Sequence, residues 1–330
     1  MSIVCSIGVV LSLCILGYLG GSVAGLRTLT GTILPYAAMV TFLVGVSYRL
    51  IRWARSPVPF RIPTTCGQQK SLPWIKAGWM ESPYTTLGVI ARMALEVLLF
   101  RSLFRNTQAE LREGGKLVFG ENKFLWLGAL AFHWTFLIIF LRHLRFFMEP
   151  VPAFVLALQN VDGFFQIGTP VLFLTDVIIL VALAYLLLRR LRDPQIRYIS
   201  LFTDYFALFL LLGLVISGVW MRYFAKVSIV DVKEMAIGLA TLSPVIPPGV
   251  EALLFMHLIL LSALIAYLPF SKLMHMGGIF LSPTRNLANN NRTTRHVNPW
   301  NPPVKVHTYE EWEDEFRDKI RAAGLPLERG

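Results

Sequence analysis

Along most of this chain apolar residues come in long runs rather than in alternation with polar ones. Six runs, at roughly 2–20, 30–50, 124–147, 168–188, 201–224 and 249–274, approach or exceed the 20 or so residues that a helix needs to cross a bilayer core. The pattern predicts an all-α integral membrane protein with six transmembrane helices. The first run lacks a basic n-region and a small-residue cleavage site, so it is expected as a retained membrane helix rather than a signal peptide. Between the second and third runs lies a long basic connection, residues 52–123. Its segment LGVIARMALEVLLFRSLF (87–104) is interrupted by Arg92, Glu96 and Arg101, which suits a helix lying in the membrane interface. Beyond residue 276 the chain turns polar, rich in Pro and Asn, and ends in the charged helical stretch TYEEWEDEFRDKIRAAG. Four regions follow: 1–50 with two spans, 51–123 as the connection, 124–275 with four spans, and the tail 276–330.

Composition agrees with the bilayer reading. Of 330 residues, 55% are hydrophobic and only 15% charged, and the mean hydropathy is +0.58. A net charge of +11 would point to nucleic acid in a soluble protein. Here it reflects basic residues gathered on one side of a membrane, and no nucleic-acid partner is expected. With both termini in the cytoplasm, only Arg27, Arg142, Arg145, Arg222, Lys226 and Lys233 of the 31 basic residues fall outside. The short loop RRLRDPQIR (189–197) carries the strongest signal. Cys5, Cys14 and Cys66 form no CxxC or CxxCH, which argues against thiolate zinc, protein-bound iron–sulfur clusters and covalent c-type haem. The tail reads as a docking surface for a cytoplasmic partner, or as a solvated end.

Four of the six histidines fall in or at the ends of spans: His133 and His143 on the third, His257 and His275 on the sixth. The other two, His296 and His307, belong to the tail. At 100° per residue, His257 and His275 return to one face, and His133 and His143 lie about 80° apart. The third and sixth spans are antiparallel, so the pairs nest as His133 with His275 on the inner side and His143 with His257 on the outer. Each pair can supply both axial ligands of one haem, giving two stacked b-type haems whose iron these four residues hold. One length strains this scheme. His133 and His143 are about 15 Å apart along the axis, whereas eighteen residues of straight helix span about 27 Å. A kink at Pro269 or a helix ending before His275 would absorb the difference. Two other readings stay open: interhelical hydrogen bonding, and proton relay or divalent-metal transport. For transport, the fourth and fifth spans offer only Asp176 and Asp204.

The surroundings bear on the choice. Arg142, Arg145 and Arg222 sit at the outer boundary, where they would pair with haem propionates or anchor the interface. Gly213 and Gly218 would make room for a flat macrocycle, and Trp134, Phe136 and Phe140 would pack on it or on lipid. Candidate contacts for a quinone near the outer pair are His143, Arg145, Arg222 and Lys226, with Asp231 and Glu234 as proton acceptors.

The +10 and +18 histidine spacing resembles the respiratory nitrate reductase gamma subunit family, membrane di-haem cytochromes b that oxidise quinol. The resemblance implies a five-helix core, helices two to six, preceded by one extra helix. TDYFALFLLLGLVISGVWMRYF and VDVKEMAIGLATLSP (203–244), with MHMGGIFLSPTRNLANNNRTTRHVNPWNPPVKVHTYEEWEDEFRDK (274–319), further resemble the DsrM family, cytochrome b subunits of Dsr complexes in dissimilatory sulfur metabolism. That likeness implies menaquinone as substrate and electrons passed to a cytoplasmic iron–sulfur subunit related to heterodisulfide reductase. It also implies a multihaem cytochrome c, a ferredoxin-like protein and a second membrane subunit as partners, with DsrC trisulfide as the substrate of the complex. The alternative within this class is a gamma-type subunit of a nitrate or heterodisulfide reductase. The loop at 149–167 departs from the gamma-subunit pattern in lacking the lysine of the quinol site.

Overall fold

The computed structural model describes residues 2–56, 67–294 and 306–328. Cys66 and His296 lie outside them. Six long helices carry the fold: α1 (Ser2–Ser22), α2 (Leu34–Ala54), α5 (Lys123–His143), α7 (Leu174–Arg192), α9 (Phe202–Trp220) and α11 (Ala252–Tyr267). Five of the apolar helical stretches are long and apolar enough to cross a membrane: Ser2–Ser22, Ala24–Ala54, Lys123–Phe146, Phe202–Ala225 and Ala252–Phe270. Their outward faces carry Val4, Leu11, Ile15, Val40, Leu43, Val44, Phe140 and Ile216, all exposed, as a lipid-facing surface requires. The sixth, α7, is as apolar in its middle but carries Asp176 in its first turn and Arg189, Arg190 and Arg192 in its last. It begins six residues later than the sequence pattern suggests. Gln166 and Gly168 take positive φ and Pro170 has no N–H to give a helix, so 163–173 stays irregular.

Contacts fix the helix directions. Arg142 at the end of α5 meets Asp176 at the start of α7, and Gly128 near the start of α5 meets Tyr185. Tyr223 just beyond α9 bonds Asp176, whereas Arg190 near the end of α7 approaches Asp204 at the start of α9. Gly31 and Gly45 meet Phe255 and Pro269, so α2 runs parallel to α11, and α1 runs opposite to it. Successive long helices therefore alternate up and down. A core of Val10, Ile179, Leu183, Phe206, Leu210, Leu211, Leu260 and Leu264 joins α1, α7, α9 and α11.

The N-terminal helix is thus no appendage. Gly17 and Gly21 lie one turn apart on α1, and a Cβ on either would come within 2.6 or 2.7 Å of the Met256 or Ala252 Cα. This is the small-residue packing by which membrane helices approach closely.

Shorter elements cover the ends. On the end where α5 starts, α3 (Thr86–Leu99) and α4 (Arg101–Phe104) are split by Phe100 at φ 50, where the sequence pattern suggests one helix. A hairpin the sequence reading did not anticipate follows, β1 (Thr107–Arg112) and β2 (Lys116–Glu121), turning through Gly114 and Gly115 at positive φ. α8 (Pro194–Ile199) fills the loop after α7, while α12 (His275–Gly278) and α13 (Pro283–Asn286) follow α11. Arg92 and Glu96, the polar interruptions of the connection, point inward and are buried. Glu96 holds Ser102 and pairs with Arg285 of α13 at 3.1 Å, which ties connection to tail. On the opposite end lie α6 (Ala153–Asp162) and α10 (Ile229–Ala240). The charged C-terminal stretch forms α14 (Tyr309–Ala322), started by a capping box of Thr308 and Glu311.

Gly17→Leu would push side-chain atoms into the α11 backbone at a cost of about 1–3 kcal/mol or more. Thermal unfolding in detergent is expected to show a lowered Tm for this variant. Gly8→Leu, at a position with nothing within 4 Å, is expected to leave Tm unchanged.

Candidate functional site

Of the four histidines, His133 and His143 lie on α5, His257 on α11 and His275 at the start of α12. α5 lies along α7, α11 lies along α1, α2 and α9, and α5 and α11 share no packed face among the described residues. His133 and His275 nevertheless meet, their ring centroids 5.9 Å apart and their planes at 82°. Metal–imidazole bonds of about 2 Å put the centroids of two rings on opposite sides of one metal on the order of 6 Å apart. His257 lies within electrostatic range of His143. The structure thus brings His133 beside His275 and His143 toward His257.

The route to it differs from the expectation. α11 ends at Tyr267, one 3₁₀ turn carries the chain through Pro269 to Phe270, and Ser271 is extended at φ −112 and ψ 175. His275 opens a separate short helix, so helical phase does not relate it to His257, and the 27 Å length problem vanishes with the straight helix. A latch holds the returned segment: Lys272 Nζ bonds Asp204 Oδ1 at 2.7 Å, from the start of α9.

Hydrogen bonding fixes the ring chemistry. His133 Nδ1 lies 2.7 Å from the Ala129 carbonyl, His143 Nδ1 2.7 Å from that of Ile139, and His275 Nδ1 2.8 Å from that of Lys272. A carbonyl oxygen only accepts, so each Nδ1 carries the proton. His257 Nδ1 lies 2.8 Å from Ser217 Oγ, whose own hydrogen is directed to the Leu214 carbonyl at 2.9 Å. Ser217 thus bonds both the Leu214 carbonyl and the His257 ring. The three carbonyl-bonded rings, His133, His143 and His275, take one tautomer, which leaves Nε2 as a lone-pair donor in each. Second-shell acceptors on Nδ1 orient metal-binding imidazoles in this way. Phe100 and Phe132 meet the His133 ring edge-on at 4.9 and 5.0 Å. Ser217 and Phe100 carry no motif that marks them; only the fold brings them to the histidines.

The other candidates sort differently. Gly218 sits beside His257, where a Cβ would be 3.4 Å from Cε1; Gly213 instead abuts Val10 and Leu260 and serves packing. Trp134 donates to the Leu98 carbonyl and Phe140 is exposed, so both face away from the pairs. Phe136 is exposed at the margin. Arg142 is buried and holds two carboxylates, Asp162 at 3.0 Å and Asp176 at 2.7 Å, rather than standing free for a propionate. Asp162 also receives the N–H and hydroxyl of Thr175, and Asp176 receives Tyr223 OH at 2.7 Å. The guanidiniums of Arg142 and Arg222 both lie 3.9 Å from the Phe173 ring centroid. Arg145 is half-buried and has no carboxylate within ion-pair distance among the described residues. Lys226 ends the turn after α9 at φ 53, and Asp231 and Glu234 sit on α10.

Residues 79–296 match the family described as the nitrate reductase gamma subunit. The chain belongs to that family. It is also 44% identical over 279 residues to the Hdr-like menaquinol oxidoreductase cytochrome b-like subunit of Archaeoglobus fulgidus, covering 82% of this chain and 83% of the relative. The corresponding subunit of Archaeoglobus profundus is 42% identical over 276 residues, covering 82% of each. This member of the gamma-subunit family is a multi-pass membrane protein.

Removing Arg142 would leave two buried carboxylates facing one another, at a cost of about 3–5 kcal/mol. Arg142→Leu is expected to lower Tm in detergent by several degrees or to prevent accumulation of folded protein. Arg145→Leu is expected to shift Tm far less.

Proposed function

We propose that this subunit is a di-haem cytochrome b that oxidises menaquinol at the outer side of the membrane and passes its electrons inward. His133 with His275 would hold the inner haem and His143 with His257 the outer. Bound there, each b haem supplies reversible one-electron chemistry, its potential set by ligands and burial. The observation that carries this reading is the meeting of His133 and His275 at the spacing of a common metal, with the Nε2 lone pairs of His133, His143 and His275 left free by their Nδ1–carbonyl bonds. Two imidazoles per site suit a metal whose remaining positions a macrocycle fills. Among the described residues no three of His, Cys, Asp and Glu gather where one ion could be held, as a metal permease would need. Asp176 and Asp204, the carboxylates a transporter would use, are engaged by Arg142 and Lys272.

The chain's own residues do the rest. Ala129, Ile139, Lys272 and Ser217 fix the rings, and Asp204 keeps the His275 segment in place through Lys272. With α7 counted as a sixth span, both termini lie on the basic end, which we assign to the cytoplasm across the inner membrane. The names of the Archaeoglobus relatives support menaquinol as substrate and an Hdr-like complex as the setting. The recipient is then a cytoplasmic heterodisulfide-reductase-like iron–sulfur subunit. The DsrM-like stretches 203–244 and 274–319 support a place in dissimilatory sulfur metabolism, in a Dsr complex acting on DsrC trisulfide.

A reduced-minus-oxidised absorption spectrum of the purified chain tests this, with a water-soluble menaquinol analogue as reductant. A b-type α-band is expected, and its absence would falsify the reading. Ser217→Ala is expected to weaken retention of the outer haem by roughly 10- to 100-fold, with the inner one kept.

A further inference from the structure

Resting on that reading, we infer that α14 is the docking helix for the cytoplasmic iron–sulfur subunit, seating an aromatic stripe in an apolar groove rimmed by lysine and arginine. The helix lies beyond residue 296, where the match to the gamma-subunit family ends. Among the described residues it shares no packed face with any other element. The capping box of Thr308 and Glu311 fixes where it starts, so its sides follow from helical phase. Tyr309, Trp312 and Phe316 fall within about 60° of one another. Their rings form a ladder, the centroids 5.6 Å apart from Tyr309 to Trp312 and 5.7 Å from Trp312 to Phe316. Tyr309 is 50% exposed and Trp312 44%, whereas Glu313 and Ile320 are buried. Anchors at i, i+3 and i+7 are the form in which an amphipathic helix enters a partner's groove. Tryptophan and tyrosine are also the side chains that carry most binding energy in such contacts.

Charge selects the occupant. α14 carries six carboxylates and three cations, although the whole chain has a net charge of +11. A helix that lies on the inner leaflet needs a basic polar face, because the headgroups there are anionic. α14 has the opposite sign, so its exposed aromatic residues suit a basic-rimmed protein groove and not lipid. Glu315 and Asp318 are exposed on the side next to Trp312, where they would meet that rim.

The test is how much iron–sulfur subunit stays with the affinity-tagged full chain when the complex is purified from membranes in mild detergent. The readout is acid-labile sulfide per chain, with the subunit identified by mass spectrometry. Trp312→Ala is expected to weaken retention by roughly 30-fold or more, and Tyr309→Ala in the same direction, with the b-type α-band unchanged. Both residues are exposed, so neither change opens a core. Glu315→Lys combined with Asp318→Lys is expected to weaken retention at low salt and to flatten its salt dependence. Arg321→Ala, on the opposite side of the helix from Trp312, is expected to retain the subunit as the wild type does. A wild-type chain that keeps its α-band without the subunit, or aromatic variants that retain as much as the wild type, would overturn the inference and leave the di-haem reading intact. Variants that only separate two copies of the tagged chain would overturn it in favour of self-association. Absence of the α-band from the wild type would overturn both.

Discussion

A neutral imidazole has one donor and one acceptor nitrogen, and inside a membrane neither is satisfied by water. In this protein each of four rings bonds a fixed oxygen of the bundle through Nδ1. Three of those oxygens are helix carbonyls three or four residues earlier in the chain, a partner that helical geometry supplies. The fourth is a serine on another helix, itself oriented by a carbonyl. On the three carbonyl-bonded rings the remaining nitrogen can then only accept, and these rings sit on α5 and at the start of α12. The account of function depends on this allocation.

Keeping α5 and α11 apart requires that both be braced from behind. α7 supports α5 through the buried Arg142–Asp162–Asp176 cluster, whose charges compensate one another in a low-dielectric setting where any one alone would be costly. α1 supports α11 through glycine contact close enough to exclude side chains.

The sequence was most informative where a physical requirement is local. Apolar runs of span length, an excess of arginine at one end and histidines at membrane depth were legible without coordinates. Helix polarity was enough to expect His133 near His275, where their rings meet. The reading was weaker where the chain departs from helical regularity. It extended the sixth span through Ser271, because Pro269 alone does not say whether a helix kinks or stops. It joined α3 and α4 across Phe100, whose left-handed conformation has no glycine to announce it. It left Arg142 between a propionate and the membrane interface, because Asp162, twenty residues on, gave no sign of folding back to it. Ser217 and the Tyr223–Asp176 pair were invisible for the same reason: their partners are distant in sequence and the residue types are common.

The most direct test is the number of haems bound per chain, counted as pyridine haemochrome against protein concentration. The account predicts two b haems in the wild-type protein and one after replacement of any single histidine among His133, His143, His257 and His275. A wild-type count of one or none, or single replacements that leave the count at two, would contradict it.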